Sequence, residues 1–104
     1  MTPNILVWLE EWYAHQCDGD WEHDYRIHIQ TLDNPGWRVR INLQDTIWAA
    51  RSFDTYERDS DETNWVRCWV ANETFEGAGG PHNLHDILQI FYQWVTQEDE
   101  SVSP

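Results

Sequence analysis

Cys17, Asp18, Asp20, Glu22, His23 and Asp24 bring a thiol, an imidazole and four carboxylates into one short stretch. All are metal-ligand types. Their spacing matches neither a zinc pattern nor a calcium loop, and no second His or Cys cluster follows at ligand distance. Asp18 and Asp20 also oppose a thiolate at Cys17, because a reactive thiol needs positive surroundings. The segment therefore predicts no catalytic residue, no bound metal and no cofactor. Four carboxylates in a tight turn can still attract a cationic partner. The plainer alternative is a solvated acidic turn.

Other chemistry-bearing residues are dispersed. His15, His23, His28, His82 and His85 form no cluster in sequence. Gly77, Gly79 and Gly80 precede a helical pattern, but no Lys follows to make a phosphate loop. Cys68 sits between Val66 and Val70 and reads as a small buried hydrophobe.

Bulk charge narrows the partners. The chain has 104 residues and a formal net charge of −13, from 19 acids against 6 bases, all Arg. Binding phosphates takes clustered Lys and Arg, so nucleic acid and anionic membranes are excluded as expected partners. A basic partner, or solubility alone, fits better. Two cysteines are too few for a disulfide-stapled secreted domain. The N-terminus lacks a basic n-region, and its longest apolar run, Ile5 to Leu9, cannot span a bilayer. A cytoplasmic protein is expected, with residues 1–97 as a single domain and 98–104 as an acidic, flexible tail.

The acidic stretch needs elements to position it. Residues 3–16 read as a helix, with Thr2 as cap, Pro3 at the first position and Ile5, Leu6, Leu9, Trp12 and Tyr13 on one face. Gly19 stops it. Trp21, His23, Tyr25, Ile27, Ile29 and Thr31 then alternate, predicting a strand from about Trp21 to Leu32. Asp33-Asn34-Pro35-Gly36 turns the chain. A second strand runs from about Trp37 to Leu43. Matching the apolar faces pairs Ile29 with Val39 and Ile27 with Ile41, leaving a five-residue loop, Leu32 to Gly36. Arg26, His28 and Gln30 then face outward with Asn42, Arg40 and Arg38.

Thr46 to Arg58 shows mixed parity, and Asp59 to Asn64 reads as an acidic loop. Trp65 to Ala71 is a strand, with Val66, Cys68 and Val70 on its inner face. Glu76 to Pro81 reads as a flexible connector. Leu84 to Gln97 is a helix with the stripe Leu84, Ile87, Leu88, Phe91 and Trp94, capped by Asn83 with Asp86 three residues on. The order predicts a two-layer α+β fold: an antiparallel sheet of three to four strands with the N-terminal and C-terminal helices on one face. The other face carries Arg26, His28, Arg38, Arg40, Trp65, Arg67 and Trp69. These are hot-spot types that could bind a partner, form a homodimer, or stack on one another as a cation–π lattice.

Leu9-Glu10-Glu11-Trp12-Tyr13, Cys17-Asp18-Gly19-Asp20-Trp21-Glu22-His23 and Thr31-Leu32-Asp33-Asn34-Pro35-Gly36-Trp37 closely resemble the immunity protein 53 family. Trp65-Val66-Arg67-Cys68, Phe75, Gly79-Gly80-Pro81 and Asn83-Leu84 through Trp94 are similar too. The resemblance covers about residues 4–95 and implies a bacterial protein that neutralises a polymorphic toxin by binding it. On that reading a basic toxin, such as a nuclease, is the partner. Asp18, Asp20, Glu22 and Asp24 would mimic phosphate charge, Trp21 or Trp37 would supply an apolar anchor, and His23 would orient the turn. Some relatives carry a sulfurtransferase label. A small enzyme or metal-binding protein using Cys17, Asp20 and His23 is the alternative.

Overall fold

Alternating apolar residues need something to cover them, and here two helices do so. The computed structural model describes residues 4–96. Its elements in chain order are α1 (Ile5–Gln16), α2 (Trp21–Asp24), β1 (Ile27–Leu32), β2 (Gly36–Asn42), β3 (Tyr56–Asp61), β4 (Asn64–Ala71), β5 (Thr74–Gly79) and α3 (Leu84–Thr96). The five strands form one antiparallel sheet in the order β1-β2-β5-β4-β3. The fold is α+β as expected, with one more strand than the upper count of four.

The extra strand is β5, which corrects the expected connector at Glu76 to Pro81. It pairs on both sides, with β2 through Ile41–Phe75 and Val39–Gly77, and with β4 through Val70–Phe75 and Cys68–Gly77. Glycine weakens a strand unless another element must come close. Here α3 comes close: a Cβ on Gly77 would run into Ile87 Cγ2.

Val39, Ile41, Val66, Cys68 and Phe75 are fully buried on the inner face, against Ile87, Leu88 and Phe91 of α3. Burying a side chain of this size contributes about 2 kcal/mol relative to leaving it in water. Aromatic rings complete the layer. Phe91 meets Trp12 edge-on at 5.1 Å, and Phe53 meets Trp94 at 5.3 Å and Phe75 at 5.6 Å in the same manner. Such pairs add about 1 kcal/mol each beyond the area they bury.

The β1–β2 register is the expected one: Ile29 opposite Val39, Ile27 opposite Ile41, with His28 and Gln30 opposite Arg40 and Arg38. Leu32 and Gly36 also pair, so the loop is Asp33-Asn34-Pro35, shorter than the five residues expected. The Asn34–Pro35 peptide bond is cis. β3 begins at Tyr56, inside the last part of the mixed-parity stretch, and runs into the expected acidic loop as far as Asp61. Between β2 and β3 the chain makes successive turns, fastened by indole N–H groups. Trp21 Nε1 donates to Gln44 O at 2.9 Å, and Trp94 Nε1 to Ser52 O at 2.8 Å.

Both helix caps differ from expectation. Asn4 caps α1, its Oδ1 accepting from Leu6 N at 3.0 Å and Val7 N at 3.2 Å. Thr2, Pro3, Gln97 and the tail at 98–104 lie outside the described residues. The inner face of α1 is Ile5, Leu9 and Trp12, while Leu6 and Tyr13 are exposed. At α3, buried Asn83 stands at the expected cap position, its backbone O accepting from Ile87 N at 3.1 Å, but its side-chain oxygen turns to the sheet and not to the first turn of the helix. Its Oδ1 accepts from Trp65 N at 3.3 Å, and its Nδ2 donates to Asp86 Oδ2 at 2.8 Å and Asn64 Oδ1 at 3.1 Å. That amide joins the start of β4 to the first turn of α3.

Candidate functional site

The acidic stretch leaves α1 at Cys17, whose Sγ donates to Tyr13 O at 3.3 Å. Gly19 takes a φ of +99°, open to glycine and strained for other residues. Two carboxylates then tie the reversal. Asp18 Oδ1 accepts from Trp21 N at 2.9 Å and Asp20 N at 3.0 Å. Glu22 Oε2 accepts from Gly19 N at 3.0 Å, and its Oε1 from Asp18 N at 3.1 Å. These side chains satisfy backbone N–H groups that a strand would have given to a neighbour.

This explains the main correction in the segment. Trp21–Asp24 is a helical turn, α2, and β1 starts only at Ile27. Trp21 and Tyr25 lie four residues apart, so one helical turn brings them to one side as well as alternation would. Their ring centroids are 5.9 Å apart. The N–H groups of Trp21 and Asp20, donating to Asp18, hold its carboxyl below the usual carboxylate range.

The sequence-derived site residues divide four ways. Asp20, His23 and Asp24 are exposed on the turn. Asp18 and Glu22 sit beside them with carboxylates engaged by the backbone. Trp21 is buried at 3 % exposure under Trp12 and Tyr13. The expectation that Trp21 offers an apolar anchor to a partner is therefore corrected: its ring pins the turn to the core. Trp37 is not part of the cluster. It pairs with Thr31 near the β1–β2 turn and donates from Nε1 to Pro81 O at 2.9 Å. The acidic turn adjoins the other end of β1, about 20 Å along a six-residue strand.

A cleft of about 450 Å³ lies beside the turn, lined by Leu9, Glu10, Tyr13, Glu22, Tyr25, Arg26 and Ile27, and no local pattern in the sequence marks it. Leu9, Ile27 and two phenol rings supply apolar surface, and Glu10, Glu22 and Arg26 supply charge. Burial, followed by the charges of Asp45 and Asp24, pushes the Tyr25 phenol up, so it stays neutral and can donate a hydrogen bond. Tyr13 and Tyr25 flank the acidic stretch in sequence, and in the fold each lies against the Trp21 ring and lines the same cleft.

The outer sheet face has its own order. Arg40, Glu76 and Trp69 form one row across β2, β5 and β4. Glu76 pairs with Arg38 and lies 3.7 Å from Arg40 Nε. The Arg38 guanidinium stands 4.9 Å from the centre of the Trp69 ring. Arg67 pairs with Glu57 at 2.8 Å. Arg26 and His28 adjoin Arg40 in a shallow recess with Asp24, Asn42 and Thr74. Of the expected cation–π lattice one contact is present, between Arg38 and Trp69, while Arg40 and Arg67 pair with Glu76 and Glu57.

Cys68 is fully buried, and burial pushes its thiol up to about 12, so it is inert at neutral pH. Among the described residues no group of three or more His, Cys, Asp or Glu is arranged to hold a metal ion. No helix among them is long and apolar enough to cross a membrane.

Fold and site define a class: a small two-layer α+β protein whose acidic groups are displayed on a hydrogen-bonded turn at the surface. The chain matches the family model described as immunity protein 53 over residues 6–96, and it belongs to that family. No curated protein and no solved structure gives a significant match.

Proposed function

We propose that the protein is a non-enzymatic inhibitor of a bacterial polymorphic toxin, acting in the cytoplasm by covering a basic active site such as that of a nuclease. Family membership supports the immunity role. The observation that carries the finer reading is the acidic turn, tied by its own carboxylates, beside the cleft lined by α1 and the start of β1. A Lys or Arg of the toxin would lay its aliphatic stem on Leu9, Tyr13 and Tyr25 and bring its charge to Glu10 and Glu22. Asp20 and Asp24 would meet further basic groups, and His23 would line the rim. Asp18 contributes charge while bracing the loop, and Trp21 braces it from below. Trp37 would touch only a partner wide enough to span β1. Because Asp18, Gly19 and Glu22 are already fastened, the turn loses little freedom on binding, which favours affinity.

Capture by the product of the neighbouring toxin gene tests this. The double substitution Asp20→Lys/Asp24→Lys spares the bonds that hold the turn. Affinity is expected to fall by about 10- to 100-fold, and its weakening by salt to diminish. Unchanged affinity in low and high salt would remove the turn from the interface. Failure to capture any neighbouring product would remove the inhibitor reading itself.

A further inference from the structure

The sheet has two edges, and only one is defended. β3 carries Glu57, Asp59 and Asp61 and a register shift between Asp59 and Asp61, devices that discourage another strand from adding. β1, Ile-His-Ile-Gln-Thr-Leu, has neither acid, Lys, Pro nor bulge. Its four central residues are exposed, and Ile29 retains 39 % of its surface on the face the helices otherwise cover.

The backbone polarity of this edge follows from its pairing. Asn42 N donates to Arg26 O at 3.1 Å, so even-numbered residues of β1 direct their backbone groups towards β2. Ile27, Ile29 and Thr31 direct theirs outward. We infer that a second copy of the chain docks antiparallel on this edge about a two-fold axis through Ile29, making one continuous ten-stranded sheet.

A second copy fits residue by residue. Ile29 meets Ile29 of the other copy, Ile27 meets Thr31, and His28 meets Gln30. Pairs of equal parity keep both helical layers on one side of the sheet. The outward groups of Ile27, Ile29 and Thr31 then form about six intermolecular hydrogen bonds. The exposed Ile29 side chains cover each other. Arg26 falls opposite Leu32, next to Asp33 of the other copy. Neither Arg26 nor Asp33 enters an ion pair among the described residues, so the two-fold supplies each with an opposite charge. Two chains of formal net charge −13 still repel, which salt relieves. Self-association is therefore strengthened by salt, opposite to the response proposed for toxin capture.

Sedimentation equilibrium of the full chain, at submillimolar concentration and in low and high salt, tests the dimer. The expected result is twice the chain mass, more populated at high salt. Ile29→Pro removes an outward N–H and the Ile29 side chain but no hydrogen bond to β2, and is expected to return the mass to one chain, with an unchanged far-ultraviolet circular dichroism spectrum. In a Cys17→Ser background, Ile29→Cys is expected to cross-link between copies under oxidation, because its two-fold mate lies within disulfide reach. Gln30→Cys, opposite His28, is expected not to. A monomer under all conditions overturns the proposal, as does a dimer indifferent to Ile29→Pro or cross-linking at position 30 in preference to 29. If the amides of Ile27, Ile29 and Thr31 gain exchange protection only when toxin is added, the edge belongs to the toxin and the dimer is wrong.

Discussion

Asp18-Gly19-Asp20 and Glu76-Gly77-Ala78-Gly79 use similar residues and fold in opposite ways. The first reverses the chain at the surface. The second is the middle strand of the sheet, hydrogen-bonded on both sides. Gly19 is there for its backbone: φ is +99° and a Cβ would meet nothing within 4 Å. Gly77 is there for space, because α3 occupies the place of its side chain. The same residue type thus answers two constraints, one local and one tertiary. The acidic side chains differ too. Asp18 and Glu22 are spent on backbone N–H groups of their own turn, whereas Glu76 is spent on arginines brought from β2.

The contrast can be broken most forcefully at Gly77. Gly77→Ala forces Ile87 off the sheet and is expected to cost about 2–3 kcal/mol, read as a fall in the denaturation midpoint. Combined with Ile87→Ala, the loss is expected to be smaller than the two single losses together, since both substitutions act on one contact. Strict additivity would show that space at Gly77 is not the constraint.

Gly19→Ala probes the local constraint and is expected to cost less, about 1 kcal/mol, from backbone strain alone. No substitution in the core should relieve it. A loss as large as that at Gly77 would mean that the turn is packed and not merely bent.

The smallest expected effect sharpens the electrostatic side. Asp18 has its carboxyl held low by the Trp21 and Asp20 N–H groups. A depressed acid contributes stability fully above its unfolded value of about 3.9, and the contribution is lost as pH falls through the folded value. Asp18→Asn keeps an oxygen acceptor but not the charge. The loss of stability below about pH 4 is expected to be shallower in the variant, as followed by thermal midpoints against pH. An identical acid limb would show that Asp18 is not among the groups that set it.

These particulars show how much was legible beforehand. The β1–β2 register could be read from Ile27, Ile29, Val39 and Ile41, because a slip by one residue would put the two isoleucines of β1 on the face opposite Val39 and Ile41. The stripe of α3 was equally clear, with Ile87, Leu88, Phe91 and Trp94 buried as expected. β5 was hidden because only Phe75 marks its inner side as apolar; Gly77 and Gly79 carry no hydrophobic signal. The helical turn at Trp21 was hidden because Trp21 and Tyr25 satisfy both periods. Of the site, the acidic residues were visible and the cleft was not. Trp21 and Trp37 looked interchangeable as anchors until one proved buried and the other lay at the far end of β1.

Sequence by itself determined the layer count, the antiparallel hairpin, the two helices and the excess of negative charge, since each follows from local period, turn chemistry or composition. Tertiary structure alone decided which glycines form a strand, which carboxylates remain exposed and which sheet edge stands open. Those outcomes depend on what another element places within a few ångströms, and no local period encodes that distance.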